Sequence, residues 1–371
     1  MINKKILINL NSSWNVFNFR LGLIKFLQSE GYEVFALAPI DEYVNYLESA
    51  GVKCYNISLN QKGVNPITDF ILFLQYLRLF NKIKPNLILS YTIKPNIYGN
   101  FAARILKIPT INNISGLGTL FIKTNFISSI GKILYKLSLK SSNHIFFQNN
   151  NDLELFIKSR LIKPYKCSVI PGSGVNTSIF KQKKKINKGN KFLFVGRLIG
   201  DKGVFEYLEA AKQVLLEYPN VEFFLAGELG YNNKTAITKM QLDNYTNSNS
   251  QIKYLGKVDD MISLLESIDV VVLPSYREGL SKSLIEAASM SLPIITTDVP
   301  GCIDVVENEY NGLICKVKSI KSLENNIKKI IELSADKRHE MGMNGRKIAI
   351  AKFEEKIIIQ NYLKIIKKVL N

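Results

Sequence analysis

The stretch KFLFVGRLIGDKGVFEYLEAAKQVLLEYPNVEFFLAG, residues 191–227, decides the fold. An apolar run (191–198) predicts a buried strand, apolar residues at helical spacing (203–219) predict a helix, and a second apolar run (221–227) predicts another strand. Parallel strands need a long crossover between them, and a helix usually supplies it. The stretch therefore predicts a strand–helix–strand unit of a parallel sheet.

The same alternation runs along the rest of the chain. In the first half it predicts strands at 4–10, 32–39, 52–59, 86–92, 108–115 and 144–150 and helices at 19–31, 43–51 and 67–85. In the second half it predicts further strands at 252–258, 269–275, 293–298 and 311–317 and helices at 261–268 and 281–290. After the last strand it predicts only helices, the longest of them at 354–370. The predicted fold class is α/β, with parallel sheets wound on both faces by helices.

A lysine-rich segment (181–190) separates the two halves and predicts a domain boundary. We expect one domain at 1–180 and a second at 189–353, with the C-terminal helix (354–371) packed back on the first. Ligands of doubly wound sheets bind outside the carboxyl ends of the strands. We therefore expect an active site in a cleft that the two domains face.

Composition excludes several classes of protein. With 46% hydrophobic and 22% charged residues, the 371-residue chain is globular rather than disordered. No apolar run reaches the roughly 18 residues of a membrane-spanning helix, and the first residues read as a strand rather than a signal peptide. The cysteines and histidines show no zinc spacing, which predicts reduced thiols, a cytoplasmic location and no metal site. These residues are Cys54, Cys167, Cys302, Cys315, His144 and His339.

The net charge of +18 is concentrated in one half. Residues 1–188 carry 25 Lys+Arg and 8 Asp+Glu, whereas residues 189–371 carry 24 and 23. Such an asymmetry predicts a polyanionic partner for the first half: nucleic acid, an anionic membrane surface or a diphosphate. A genome rich in lysine codons is the alternative explanation, although it does not explain why the excess lies in one half.

A glycine-rich turn with two cations lies inside the opening stretch. VGRLIGDKG (195–203) runs from a predicted strand into a predicted helix, and Arg197 and Lys202 flank the turn. A guanidinium and an ammonium beside the unpaired N–H groups of a helix N terminus suit a diphosphate. A surface turn with two solvated cations explains the same residues, and the spacing alone leaves both interpretations open.

A second candidate anion site lies in YREGLSKSLIEAASM (276–290), where a predicted strand leads into a helix. The carboxylate of Glu278, in the loop, can accept hydrogen bonds from sugar hydroxyls, and that of Glu286, about two turns into the helix, can reach a ribose diol. A helix-surface glutamate is the alternative for Glu286, although its neighbours are small and apolar. The residues whose N–H groups lie at the helix start are Gly279, Leu280 and Ser281.

These motifs resemble those of a known family. The patterns RL-x2-DKG at 197–203 and PS-x2-EGL-x5-EA at 274–287 are similar to those of the family-4 retaining glycosyltransferases, which have the GT-B fold of two Rossmann-like domains. PGSGVNTSIF (171–180) resembles their hinge segment, and PGCIDVVENEYNGLI (300–314) resembles a later stretch of the same enzymes. With Gly116, Gly118 and the FR at 19–20, the chain looks most like the bacterial N-acetylgalactosaminyltransferases that extend undecaprenyl-diphosphate-linked sugars.

The resemblance implies roles for matching residues. Arg197 and Lys202 would bind the donor diphosphate and Glu278 the donor sugar, and these three are the expected catalytic residues. The amides of residues 279–281 would contact the phosphate and the sugar, and Glu286 would bind the ribose. The segment LGKV (255–258) would contact the base, with main-chain groups of Lys257 and Val258.

The implied reaction is transfer of a hexose or N-acetylhexosamine, with N-acetylgalactosamine the first choice, from a UDP-sugar to a lipid-diphosphate-linked acceptor in bacterial polysaccharide assembly. Retention of configuration is implied as well. No DxD triplet occurs, so we expect no metal ion and no cofactor beyond the donor itself. Cations and helix N termini would neutralise the leaving UDP instead.

The acceptor side is expected in the first half. Ser115 occupies the position where many family members carry a histidine, and Gly116 and Gly118 suit a close approach of substrate to the backbone. The segment 121–142 predicts an amphipathic helix with apolar residues on one face and Lys132, Lys136 and Lys140 on another. Such a helix suits peripheral binding to the inner face of the cell membrane, and a helix packed on its own domain is the alternative.

Three other functions compete with this interpretation. A UDP-N-acetylglucosamine 2-epimerase has the same architecture but needs acid and base groups that the chain offers sparsely. A nucleic-acid-binding protein is suggested by charge alone, without a recognition motif. A dinucleotide-dependent dehydrogenase would need a GxGxxG turn after a strand, and none occurs.

Overall fold

A computed structural model describes residues 4–60, 65–117, 126–182, 188–230 and 233–371, with the backbone alone for residues 126–128. The chain divides into two compact units. The first comprises residues 1–173 and 356–371, and the second comprises residues 174–355. Each unit contains one parallel sheet, which confirms the predicted fold class.

Within the described residues, the first sheet has seven parallel strands in the order β3-β2-β1-β4-β5-β6-β7. They are β1 (Lys5–Asn9), β2 (Glu33–Ala38), β3 (Lys53–Asn56), β4 (Leu87–Tyr91), β5 (Thr110–Ile114), β6 (His144–Phe147) and β7 (Cys167–Val169). The central strand β4 is buried along its whole length, as expected where helices cover both faces of a parallel sheet. The short edge strand β7 was not predicted.

The helices of the first unit are α1 (Ser13–Ser29), α2 (Val44–Ser49), α3 (Pro66–Ile83), α4 (Asn100–Ile105), α5 (Phe126–Leu139) and α6 (Asn150–Lys158). Helix α1 begins at Ser13, well over one turn before the predicted start at residue 19. The hydroxyl of Ser12 accepts a hydrogen bond from the Asn15 N–H at 3.1 Å and so caps the helix.

The second sheet has six parallel strands in the described ranges, in the order β10-β9-β8-β11-β12-β13. They are β8 (Lys191–Val195), β9 (Glu222–Ala226), β10 (Ile252–Gly256), β11 (Val270–Leu273), β12 (Ile294–Thr297) and β13 (Gly312–Cys315). Its helices are α7 (Val204–Leu215), α8 (Lys239–Ser248), α9 (Met261–Ser267), α10 (Lys282–Ser289), α11 (Ile320–Glu332) and α12 (Ala335–Ile348). A final helix, α13 (Glu355–Leu370), ends the chain.

The unit boundary differs from the expected one at residue 180. The chain enters the second unit at Gly174 because Val175 is buried in that unit's core and its N–H donates to the Phe353 carbonyl at 2.8 Å. Helix α13 returns to the first unit. There Ile358 and Ile366 are buried in the apolar core, and the Tyr362 hydroxyl accepts a hydrogen bond from the Asn113 side chain at 2.9 Å.

Each sheet has a point where its strand order reverses. The reversal lies between β1 and β4 in the first sheet and between β8 and β11 in the second. Both loops that leave such a pair begin at the carboxyl edge of the sheet, where doubly wound proteins bind their ligands. The loop after β11 contains the predicted Glu278, and the loop after β8 contains Arg197 and Lys202.

No helix in the part of the chain that the structure describes is both long and apolar enough to cross a membrane.

Candidate active site

The loops that follow β8 and β11 touch at the reversal point of the second sheet. The Tyr276 N–H donates to the Asp201 carbonyl at 2.9 Å, and the Ser275 hydroxyl donates to the same oxygen at 3.2 Å. Gly203 ends the first loop with a φ of +76°, and a Cβ there would lie 2.1 Å from the Pro274 carbonyl oxygen. Only glycine fits this position, and its lack of a side chain allows the two loops to lie in contact.

The two loops bring an ion pair together. The ammonium of Lys202 donates a hydrogen bond to the carboxylate of Glu278, and their side chains are 18% and 10% exposed. Two of the three residues predicted to be catalytic therefore meet directly, although they are distant in sequence. Because both side chains are partly shielded from water, the attraction between their charges is stronger than that of an exposed ion pair.

A third loop, after β12, fixes the backbone of Glu278. The Glu278 N–H donates to the Pro300 carbonyl at 3.2 Å. Gly301 has a φ of +80°, and a Cβ there would lie 2.6 Å from the Glu278 carbonyl oxygen. The close approach of glycine on one side and the ion pair with Lys202 on the other define the position of the carboxylate.

Helix α10 carries the second predicted glutamate. Glu286 is buried on this helix, and the Lys282 ammonium lies 3.7 Å from its carboxylate. Burial raises the pKa of Glu286, and the charge of Lys282 opposes that rise. Ser281 is the residue that precedes the helix, and the N–H groups of the first turn have no acceptor within the helix itself. Glu278 thus lies in the loop before α10 and Glu286 within the helix, whereas the binding roles of both glutamates stay a prediction.

The remaining donor-side residues lie at the same edge of the sheet, Arg197 beside Lys202 in the loop after β8 and residues 257–258 farther along. Arg197 is exposed in the loop after β8, and no hydrogen-bond or ion-pair partner reaches its guanidinium within the described ranges. Lys257 and Val258 follow β10, two strand spacings or about 10 Å from β8. Lys257 is exposed and lies 3.9 Å from the Asp259 carboxylate, whereas Val258 packs against the core.

The predicted acceptor residues belong to the first unit. Ser115 and Gly116 follow β5 at the carboxyl edge, where the Ser115 hydroxyl donates to the Asn113 side chain at 3.1 Å and Gly116 has a φ of +122°. Gly118 lies outside the described residues. Lys132 and Lys136 lie on α5, the first half-buried and the second exposed.

Several residues of the site were not predicted. Lys282 pairs with Glu286, and the i,i+4 spacing in the sequence would have indicated that pair. The Tyr276 hydroxyl donates to the Glu206 carboxylate, and the Lys318 ammonium lies 4.9 Å from the centre of the Tyr276 ring. No local spacing connects these three residues, so sequence alone offered no signal.

Two other reactive groups are poorly suited to catalysis. Burial and the nearby Glu278 carboxylate raise the pKa of Cys302 to about 12, so its thiol stays protonated. His144 lies at the amino end of β6, opposite the ligand-binding edge, and its Nε2 pairs with the Ser168 hydroxyl at 2.8 Å. Nowhere in the described ranges do three His, Cys, Asp or Glu side chains gather in a group able to hold a metal ion. Metal independence stays a prediction.

Comparison with known proteins decides the family. The model of "Glycosyl transferases group 1" matches residues 175–348, and that of "Glycosyl transferase 4-like" matches residues 5–149. A Campylobacter jejuni protein named N,N'-diacetylbacillosaminyl-diphospho-undecaprenol alpha-1,3-N-acetylgalactosaminyltransferase is 30% identical over 96% of both chains. The chain belongs to the group 1 glycosyltransferases. It is therefore an enzyme that transfers sugars, and the reversal point of its second sheet is the candidate active site of this glycosyltransferase.

A further relative by sequence and a solved structure are similar to this glycosyltransferase over most of its length. An Escherichia coli protein named UDP-Gal:alpha-D-GlcNAc-diphosphoundecaprenol alpha-1,3-galactosyltransferase is 26% identical over 78% of this chain and 77% of its own. Anabaena HepE, solved in complex with UDP and glucose, superposes with a TM-score of 0.81 at 18% identity, covering 98% of this chain and 99% of its own. At that identity the likeness shows the fold alone, and it confirms the predicted GT-B class.

Proposed function

We propose that this glycosyltransferase binds a UDP-sugar at the carboxyl edge of the second sheet. The observation that carries the proposal is the Lys202–Glu278 ion pair at the reversal point between β8 and β11, beside the start of α10. An ammonium for phosphate, a carboxylate for sugar hydroxyls and a helix N terminus are the groups that a nucleotide diphosphate sugar needs. The UDP complex of HepE, a protein of the same fold, supports the choice of nucleotide.

Each part of the donor has a partner in this proposal. Arg197 and Lys202 bind the diphosphate, together with the N–H groups of residues 279–281. Glu278 accepts hydrogen bonds from the sugar, and the buried carboxylate of Glu286 accepts them from the ribose. The base lies toward the main chain of residues 257–258, about 10 Å farther along the edge.

The reaction is transfer with retention of configuration and without a metal ion. The bond between the anomeric carbon and the UDP oxygen breaks as the acceptor hydroxyl forms its bond on the same face of the sugar. The proton of that hydroxyl passes to a phosphate oxygen of the departing UDP. Lys202 and Arg197 stabilise the charge that develops on UDP, which is the usual source of most of the rate enhancement at such sites.

The acceptor is a sugar linked to a polyprenyl diphosphate, and the transferred sugar is a hexose or N-acetylhexosamine, with N-acetylgalactosamine the first choice. The names of the Campylobacter jejuni and Escherichia coli relatives, which act on undecaprenyl-diphosphate-linked sugars, support this choice. A Staphylococcus aureus relative, 27% identical over 91% of this chain and 90% of its own, is named as a capsular polysaccharide biosynthesis glycosyltransferase. Assembly of a bacterial surface polysaccharide is the corresponding process.

Helix α5 supports binding to an anionic membrane surface on the cytoplasmic side. It packs on its own unit through Tyr135 and Leu139, which are buried. The alternative of a fully packed helix predicts that its other apolar residues are covered, yet Ile130, Ile133 and Leu137 are 37%, 58% and 49% exposed. Exposed apolar residues beside lysines suit the lipid interface.

Helix α3 extends this surface. It packs against α4, which in turn packs against α5. The first turns of α3 expose four more large apolar side chains, at 46% or more: Ile67, Phe70, Ile71 and Leu74. Exposed apolar residues on neighbouring helices indicate an interaction surface rather than scattered single side chains.

The test is incubation of the purified protein with a panel of UDP-sugars and a short polyprenyl-diphosphate-linked N-acetylhexosamine. We expect one donor to add a single sugar with retained anomeric configuration, read by mass and by NMR, and unchanged activity after chelation of divalent ions. A reaction of the UDP-sugar in the absence of acceptor would indicate an epimerase instead. No product with any donor would contradict the proposal.

A further inference from the structure

Helix α1 carries a buried guanidinium without an anionic partner. Arg20 is only 5% exposed, and its Nε is buried without a hydrogen-bond acceptor. No carboxylate of the described residues lies within 4.0 Å of its guanidinium, and every Asp and Glu of the chain is among those residues. The guanidinium lies over the ring of Tyr91, whose centre is 4.1 Å from the guanidinium carbon.

Such an arrangement is costly in the ligand-free protein. The guanidinium of arginine is a charged group with five N–H donors, so the burial of Arg20 removes a charge and its donors from water. The face of a tyrosine ring attracts a cation but does not replace the hydrogen bonds that the guanidinium loses on burial. Buried polar groups without a partner are expected mainly at functional sites, where a bound ligand can supply the missing partner.

The position of Arg20 is that of a ligand-binding group. Tyr91 is the last residue of β4, and β4 neighbours β1 at the reversal point of the first sheet. The long side chain of a helical residue points back toward the N terminus of its helix. The N terminus of α1 follows the carboxyl end of β1, so the guanidinium lies toward the edge where doubly wound sheets bind ligands.

We propose that Arg20 binds a phosphoryl oxyanion of the diphosphate in the lipid-linked acceptor. This inference rests on the proposed function, which supplies the diphosphate. The planar guanidinium can donate to two phosphate oxygens at once. A phosphate also supplies the negative charge that balances the guanidinium, which a neutral sugar hydroxyl does not. The large positive excess of residues 1–188 attracts the same kind of ligand.

The test uses the full chain with saturating UDP, so that the donor site is occupied, and inorganic pyrophosphate as the probe. We expect Arg20→Met to weaken pyrophosphate binding by at least about tenfold and to raise KM for the acceptor while leaving the affinity for UDP unchanged. Lys25→Met is the matched control, because Lys25 is exposed on the same helix, and it should bind pyrophosphate as the wild type does. Inorganic phosphate should bind more weakly than pyrophosphate.

A second measurement separates ligand binding from a purely structural role. If Arg20 is an unpaired charge that waits for a ligand, the melting temperature of ligand-free Arg20→Met should equal or exceed that of the wild type. If the guanidinium only stabilises the fold through Tyr91, that temperature should fall. Should Arg20→Met not fold, Arg20→Lys keeps a charge without the planar fork and should bind pyrophosphate more weakly than the wild type does.

The outcomes are distinguishable from those of the proposed function. Equal pyrophosphate binding by wild type and Arg20→Met, or none by the wild type with UDP bound, would overturn the role of Arg20. A wild type that does not bind UDP would instead contradict the donor site of the second unit, whatever Arg20 does.

Discussion

The Lys202 ammonium donates to the Glu278 carboxylate in the ligand-free protein, across the two loops that leave β8 and β11. Each of these residues is therefore the other's counter-charge until a donor binds. The proposed donor offers both of them a replacement, since its phosphates attract the ammonium and its sugar hydroxyls donate to the carboxylate. The ion pair thus links the affinity for the nucleotide to the affinity for the sugar.

Replacement of Glu278 should separate those two affinities. In Glu278→Gln, Lys202 loses its competing partner, so we expect UDP to bind as tightly as in the wild type or more tightly. Turnover of the UDP-sugar should fall at least about 100-fold, because a charged acceptor for the sugar is lost. Calorimetric titration with UDP and an assay of transfer measure the two effects, with the exposed Glu266→Gln as control. Weaker UDP binding with normal turnover would contradict this role.

Replacement of Lys202 should reduce both affinity and turnover. Lys202→Ala removes a cation from the diphosphate and leaves the partly buried Glu278 carboxylate without its partner. We expect kcat/KM to fall at least about 100-fold and UDP binding to weaken. Lys212→Ala, an exposed lysine of α7, should have no such effect. A Lys202→Ala enzyme that keeps normal transfer would refute the site.

The contact between Gly203 and Pro274 should be intolerant of a single methyl group. Gly203→Ala adds a Cβ at 2.1 Å from a carbonyl oxygen at a φ of +76°, so the loops must separate. We expect the free energy of unfolding to fall by about 2–5 kcal/mol and the protein to lose UDP binding as well. Gly230→Ala is the matched control, because Gly230 has a φ of +82° but open space around its Cβ position, and it should lose only about 1 kcal/mol. Equal losses in both variants would show that the contact is unimportant.

His144 should make stability fall in mild acid. Burial and the charge of Lys368 lower the pKa of His144 to about 4, from 6.5 in an unfolded chain. Between these two values the unfolded state binds more protons than the folded state, so the free energy of unfolding decreases as the pH falls from about 6.5 to about 4. Denaturant titrations across this window should show a weaker dependence for His144→Gln than for the exposed control His339→Gln. Parallel curves for the two variants would mean that His144 does not titrate in this way.

The lysines in α5 and directly after it should govern binding to anionic membranes. Replacement of Lys132, Lys136 and Lys140 together by Gln removes about 1 kcal/mol of attraction per lysine, so sedimentation with anionic vesicles should weaken by roughly two orders of magnitude. Salt should weaken the wild type in the same direction.

A charge-matched control separates a local surface from net charge. Three exposed lysines of the second unit, replaced together by Gln, lower the net charge equally: Lys212, Lys239 and Lys352. We expect this variant to bind vesicles as the wild type does. Equal losses in both triple variants would mean that net charge alone causes binding.

Periodicity was sufficient for the sheets but not for the short elements. Long apolar runs predicted twelve of the strands, whereas the three residues of β7 are too few for a pattern. The start of α1 was missed although Ser12 precedes it as a cap, because the apolar spacing becomes regular only later. The helices α4, α6 and α8 were missed as well.

The candidate site likewise contains features that local sequence predicts and features that it does not. Glu278, Glu286 and Lys202 were predicted from local spacing, since each motif joins a strand end to a helix start. Their pairing, the clamp at Gly203 and the position of Arg20 depend on contacts between distant segments, which one sequence does not reveal. For α5 the sequence predicted the amphipathic pattern, and only the structure shows that Ile133 and Leu137 remain exposed.

The central claim is that the donor nucleotide binds where the loops after β8 and β11 meet, and a crystal structure of the protein soaked with UDP tests it most directly. We predict density for the diphosphate between Lys202 and the start of α10, with the ribose within hydrogen-bond distance of Glu286. Density for UDP at any other place on the chain, with this edge of the sheet empty, would contradict the account.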